Sequence, residues 1–272
     1  MSSTLTRSST LTRGLQLSAA AAVLALPAAL LLPAGPAAAA PSFVKIQAAA
    51  ATATGLTPSV DAYRALLGGP DNASAPGSQP AGHRSINWDA VPDAISTPAL
   101  MPPDLFNTAV TRGAEFRNSS GNKFAVSTNP GGAVQPRFGN VSPQYQQIFS
   151  TFSPEKLFTP VGTTETRVRF FVPGTSDRAY VKGFGAVFTD VDSWSSTKVA
   201  LYDRWGGKLW SGRVPAGPTA SDSLSFLGVK TTAKVYEVRI TSGNTPLGPW
   251  NLDGGPNDVV AIDDLIYAEP RA

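Results

Sequence analysis

Cysteine is absent from this 272-residue chain, and histidine occurs once, at His83. The first absence removes disulfides, thiolate metal sites and cysteine nucleophiles together. The second excludes two-histidine zinc sites and leaves His83 as the sole candidate for a serine–histidine–carboxylate relay. No G-x-S-x-G elbow accompanies it. A histidine beside Arg84 at a loop-to-strand junction reads instead as a surface residue. Glycine loops that cradle phosphate are missing as well, because Gly68-Gly69 runs into Pro70 and Gly206-Gly207 lies between two strand patterns. No long amphipathic helical pattern follows residue 70.

Acidic residues are also absent before Asp61, whereas Arg7 and Arg13 precede an apolar stretch from Leu15 to Leu32. Pro33, Gly35 and Pro36 follow, and Ala37–Ala39 offers an A-x-A cleavage site. This pattern predicts a signal peptide over residues 1–39 and a secreted protein with no membrane span after processing. Its removal leaves 233 of the 272 residues, enough for one large β domain or two small ones. The leader holds two of the 22 basic residues and none of the 19 acidic ones, leaving 20 against 19. So even a balance gives no electrostatic case for nucleic acid or anionic membranes. Nor does the sequence contain a basic run with interleaved aromatics of the kind that stacks bases.

Residues 40–55 are mostly small and read as a flexible lead-in. Val60 to Leu67 has a loose apolar helical face stopped by Gly68-Gly69-Pro70, and 71–82 reads as a loop. Residues 40–82 are therefore expected to be a lead-in with one short helix, and 83–270 a single domain. Within 83–270, short apolar alternations recur, clearest in Val168, Phe170, Val172, in Phe184, Ala186, Phe188, and in Tyr236, Val238, Ile240. Asp203 to Gly207 looks like a hairpin turn, and most of the 24 prolines and 25 glycines fall between strand patterns. The prediction is an all-β, antiparallel β-sandwich of jelly-roll type.

Carboxylates mark the candidate sites. Asp263 and Asp264 interrupt the apolar strand Asp258–Tyr267, which reads as packed on both faces. Strand alternation directs one of the two toward the interior, where a carboxylate needs a cation or several donors. Asp190 and Asp192 share a face if their strand continues, and Asp89 closes the segment Ile86–Trp88. These five, Asp89, Asp190, Asp192, Asp263 and Asp264, are the expected ligands of a structural calcium, a cation that takes six to eight oxygens. The alternatives stay open: Trp88 as core with Asp89 opening a turn, a solvated strand end at Asp190–Asp192, or a carboxylate pair for glycoside hydrolysis. Trp194, Trp205, Trp210 and Trp250 are candidates to stack on sugar rings or to fill the sandwich.

Several of these segments together form a recognisable pattern. Arg84–Asp93 (R-x-I-N-W-D-x-V-P-D), Arg112–Phe116, Phe170–Gly174, Gly183–Asp192, Ser225–Val229 and the terminal D-V-V-A-I-D-D-L-I-Y strand resemble a family of uncharacterised bacterial secreted proteins. The resemblance spans roughly residues 60–270, with Ala90 where the pattern has Gly and His83 where it has Arg, and it implies export. The last strand is also similar to that of galactose-binding-like jelly-roll modules, which implies a structural calcium near it. Taken together, the expectation is a non-catalytic exported module for carbohydrate or another extracellular polymer. A polysaccharide hydrolase using paired aspartates and a structural or adhesive surface protein are the alternatives.

Overall fold

The computed structural model describes residues 39–272, of which Ala40–Ala272 form one compact unit. The expected signal peptide, apart from Ala39, lies outside the described residues. Among those described, no helix is long and apolar enough to cross a membrane. The chain forms β1 (Phe43–Ala50), α1 (Ala53–Leu67), β2 (His83–Ile86), β3 (Ala114–Arg117) and β4 (Phe124–Val126). It continues through α2 (Tyr145–Ile148), β5 (Phe158–Pro160), β6 (Glu165–Phe170), β7 (Val181–Thr189), β8 (Lys198–Tyr202) and β9 (Lys208–Arg213). β10 (Leu224–Val235), β11 (Glu237–Thr241) and β12 (Ala261–Ala268) complete it.

These strands build the expected all-β sandwich of two antiparallel sheets. One runs β1-β10-β7-β12-β5-β4, with β2 also paired to β12; the other runs β3-β6-β11-β8-β9. From β6 to β12 the chain passes repeatedly from one sheet to the other, so neighbours within a sheet are seldom consecutive in sequence. Alternation explains the facing. On β6, Thr166, Val168 and Phe170 are buried while Glu165, Arg167 and Arg169 point outward. Between the sheets, the Trp88 ring stacks on Phe158 at 4.2 Å and meets Phe106 edge-on at 5.5 Å. Each fully buried ring or aliphatic side chain of this cluster contributes about 1.5–3 kcal/mol. Trp88 is therefore core. β12 is buried on both faces, as its apolar sequence requires.

Part of the cover on the outer face of the larger sheet, including Ile266 of β12, comes from the segment read as a lead-in, which corrects that reading. Phe43–Ala50 pairs with residues 224–231 of β10, and α1 begins at Ala53, seven residues before the expected Val60. Thr52 caps it, its side chain accepting from the Gly55 N–H at 3.2 Å. Leu56, Val60 and Tyr63 are buried against Val187, Leu224, Phe226 and Ile266. Two glycines make the seat for this helix. Gly185 and Gly228 are register partners on β7 and β10. A Cβ at Gly185 would stand 2.7 Å from Tyr63 Cε1, and one at Gly228 2.6 Å from Tyr63 Cδ2. The tyrosine ring occupies the space that two side chains would fill, and its hydroxyl donates to the Val229 carbonyl at 3.0 Å.

The loop 71–82 is held by an ion pair inside the protein. Arg84 and Glu269 are buried and joined by Nε–Oε2 and Nη2–Oε1 bonds of 2.9 and 2.8 Å. The remaining guanidinium hydrogens go to the carbonyls of Ala73, Ala75, Gly77 and Thr111. Glu269 in turn accepts from Asn72 Nδ2 and Gln79 N–H. Every charge is satisfied, the condition under which a buried pair is tolerated.

Candidate functional site

The five aspartates expected to share a cation lie in two separate groups. Asp263 and Asp264 sit at a β-bulge: β12 advances three residues from Ile262 to Leu265 while β7 advances two, from Phe188 to Ala186. Strict alternation fails there, and both carboxyls reach the same partner. Ser153 Oγ lies 2.9 Å from Asp263 Oδ1 and 2.7 Å from Asp264 Oδ1. One hydroxyl carries one proton, so Ser153 cannot give a full hydrogen bond to both carboxyls at once. The fully buried position of Asp263, and then the charge of Asp264, push its pKa well above the carboxylate range. Burial also raises Asp264, opposed by its hydrogen bonds and by Arg64, whose Nη2 is 3.3 Å from Oδ2.

Asp89 holds the loop that delivers those donors. Its Oδ1 accepts from the Glu155 and Lys156 N–H groups at 2.6 and 3.0 Å, and Asn87 Nδ2 donates to Oδ2 at 2.9 Å. The same loop brings the Phe152 N–H to Asp263 Oδ2 at 2.6 Å. Thus Asp89, Asp263 and Asp264 have their oxygens occupied by protein donors rather than directed at one empty point.

Asp190 and Asp192 belong to the other group, with Asp253 and Asp258. Asp258 accepts from the N–H groups of Asp192 and Ser193 at 3.3 and 3.0 Å and from Ser196 Oγ. Asp190 is fully buried in the left-handed region at φ 66°, and neither carboxyl oxygen has a hydrogen-bond partner among the described residues. Burial first, then Asp253, Asp192, Asp258 and Asp222, push its pKa up to about 9. Burial, Asp253 and Asp258 push Asp192 up to about 6. A carboxyl sealed from solvent does not face a sugar cleft. Among the described residues no three carboxylate or imidazole side chains gather as a cation cage.

The sequence reading found no basic aromatic cluster, yet the five-stranded sheet assembles one on its outer face. A groove of about 450 Å³ is lined by Arg169, Arg178, Arg204 and Arg239 together with Tyr202, Trp205, Tyr236, Asp203 and Glu237. β6 supplies Arg169, and β11 supplies Glu237 directly across from it and Arg239 two residues further on. Glu237 accepts from Arg169 Nε and Arg239 Nε, each at 2.8 Å. Although burial pushes Glu237 upward, those two guanidinium groups hold it below its ordinary pKa. Asp203 is turned into its own hairpin, Oδ1 accepting from the Trp205 and Gly207 N–H groups at 2.8 Å each. That turn lifts the Trp205 ring outward, 84% exposed.

Two arginines of the groove have no carboxylate partner among the described residues, Arg178 and Arg204. Arg204 lies over the rings of Trp205 and Tyr236, 5.0 and 5.7 Å from their centroids. Arg178 stacks on Phe171 at 5.1 Å and donates to the Tyr236 carbonyl at 2.9 Å. Burial, and after it the neighbouring Arg169, lower the Arg178 pKa. An incoming anion would relieve that repulsion. The rings attract the guanidinium charge without using its hydrogens, and Arg204 makes no side-chain hydrogen bond among the described residues.

His83 also departs from expectation. It is buried in β2, on the strand face shared by Ser85 and Asn87, beside Arg64, Arg112 and Asp264. No known protein family matches this chain, and no curated protein or solved structure matches it either.

Proposed function

We propose that this chain is a secreted, non-catalytic binding module for an acidic polysaccharide, held in the arginine–aromatic groove of the five-stranded sheet. The observation that carries the reading is the pair Arg178 and Arg204, charged, stacked on aromatic rings and free of carboxylate partners among the described residues. Guanidinium forks match the carboxylates or sulfates of an acidic sugar chain, and the outward-standing Trp205 ring matches the apolar face of one of its rings. A leader-like N-terminus suits such work outside the cell. Asp190 argues against the hydrolase alternative, because it is sealed from solvent.

Affinity electrophoresis in gels containing polygalacturonate, heparin or neutral dextran tests this reading. Retardation is expected in the two acidic gels and not in dextran. Arg178→Ala and Arg204→Ala should each weaken it about tenfold or more, the scale of one lost charge-assisted hydrogen bond. Equal mobility in all three gels would overturn the proposal. Equal retention by duplex DNA would reduce the groove to an unselective anion exchanger.

A further inference from the structure

The corner of the sandwich beside the arginine groove carries a second set of cations. There the chain leaves β10 at Val235 and enters β11 at Glu237, with Tyr236 between them. The Tyr236 ring, which lines the groove, packs on the Tyr180 ring with centroids 5.8 Å apart. Tyr180 in turn lines a separate cleft of about 370 Å³, together with Lys182, Lys230 and Arg271. Each tyrosine belongs to one depression, and their contact joins the two. Lys234 Nζ lies 4.4 Å from the centroid of the Tyr180 ring, much as the Arg204 guanidinium lies 5.7 Å from that of Tyr236.

Charge decides what this cleft takes. None of Lys182, Lys230, Lys234 and Arg271 makes an ion pair among the described residues. The one carboxylate in the lining, Glu269, is buried, and its oxygens are taken by Arg84, Asn72 and Gln79. Two of the cations are turned to carbonyls: Lys230 Nζ donates to Leu66 in the last turn of α1 at 2.7 Å, and Arg271 Nη2 donates to Pro80. Lys182 and Lys234 are exposed, so theirs are the charges that an incoming ligand meets. Four cations facing one spent carboxylate favour an anion. They follow the aromatic pair rather than converge on one point, with Arg204 over Tyr236, Lys234 over Tyr180, and Lys182 and Lys230 in the cleft. A succession of cations matches a chain of repeated anionic units better than it matches one small anion. We propose, resting on the reading of the groove given above, that an acidic polysaccharide held there continues over the Tyr236–Tyr180 corner into this cleft, where Lys182 and Lys234 meet the carboxylates or sulfates of its next units. The second contact is tethered to the first, so it raises affinity through effective concentration, and only for a chain long enough to reach both.

Titration calorimetry with oligogalacturonates and heparin oligosaccharides of two, four, six and ten units tests this extension. The proteins compared are wild type, Lys182→Ala, Lys234→Ala, Arg204→Ala and a charge control, Lys123→Ala, which precedes β4 at the opposite edge of the larger sheet. In at least one series, affinity should rise by about tenfold or more between the shortest oligomer that binds and the decamer. Lys182→Ala and Lys234→Ala should each weaken the decamer about three- to tenfold and leave the shortest binding oligomer unchanged. Arg204→Ala should weaken every length, and Lys123→Ala none. Lys182 and Lys234 are exposed and unpaired among the described residues, so both variants should stay folded, which thermal melts verify. If the two lysine variants bind the decamer as Lys123→Ala does, the cleft is no part of the site: the extension fails, while the groove reading stands on Arg204→Ala. The extension also fails if those variants weaken all lengths equally, because the lysines then act only through their general field. If wild type binds no oligomer of either series, the groove reading falls and the extension with it.

Discussion

Replacing Asp190 by asparagine isolates the least compensated group in the protein. The side chains are isosteric, and asparagine tolerates the left-handed backbone that Asp190 adopts at φ 66°. Nothing is lost in hydrogen bonding, because neither carboxyl oxygen has a partner among the described residues. What changes is the titration. The folded protein holds the Asp190 proton to a pKa of about 9, against 3.8 for an unperturbed aspartate. The native state therefore binds this proton more tightly than the unfolded chain does. Its contribution is complete below about pH 4 and is lost steadily as pH rises through about 9. At about 1.4 kcal/mol per pH unit, roughly 4 kcal/mol has gone by pH 7, as an upper bound. Asp190→Asn has no such slope. The two proteins should match in stability at pH 4, and the variant should lead by up to ~4 kcal/mol at pH 7. At about 2–4 °C per kcal/mol for a domain of this size, that is a melting temperature ~8–16 °C higher. Urea denaturation at pH 4, 5.5, 7 and 8.5, in chelator, measures the difference. Parallel pH profiles would refute the reasoning. The calcium proposal makes the opposite prediction: wild type the more stable at pH 7, only with calcium present, and the chelator lowering its melting temperature alone.

Two further outcomes test how the fold is held. Glu269→Ala strands the buried Arg84 guanidinium and should cost about 3–5 kcal/mol in a denaturant melt, with the 71–82 loop becoming sensitive to protease; a loss below ~1 kcal/mol would contradict the assigned role of this pair. Gly185→Ala places a methyl 2.7 Å from Tyr63 Cε1 and should cost about 1–3 kcal/mol by lifting α1 from the sheet. Adding Tyr63→Ala to it should produce less than the sum of the two single losses. Full additivity would show that the ring and the glycines do not share one space.

Local signals carried the architecture. Alternating Val168 and Phe170 against Arg167 and Arg169 fix a half-buried strand, and the doubly apolar Asp258–Tyr267 run requires cover on both faces. The identity of that cover was not local. Residues 43–50 open with Phe43, Val44 and Ile46 but end in three alanines, and the pairing with β10 extends the strand through them. The early turns of α1 hide behind Gly55 and Pro58, and only the Tyr63 ring set into Gly185 and Gly228 shows why the helix docks there.

The sites divide in the same way. Carboxylates were legible as costly groups wherever an apolar run enclosed them, and Asp190, Asp263 and Asp264 are indeed buried. Which compensation each receives depends on the bulge at Asp263–Asp264 and on a loop more than a hundred residues away, at Phe152 and Ser153. Net charge misled for a physical reason. A total of 20 against 19 is blind to position, whereas β6, β11 and the β8–β9 hairpin bring Arg169, Arg239 and Arg204 to one groove. The sequence by itself determined a thiol-free, strand-built domain, because residue type and period-two alternation act within a few residues. Only the tertiary structure decided which charges meet, because that depends on register and on which strands become neighbours across the sheets.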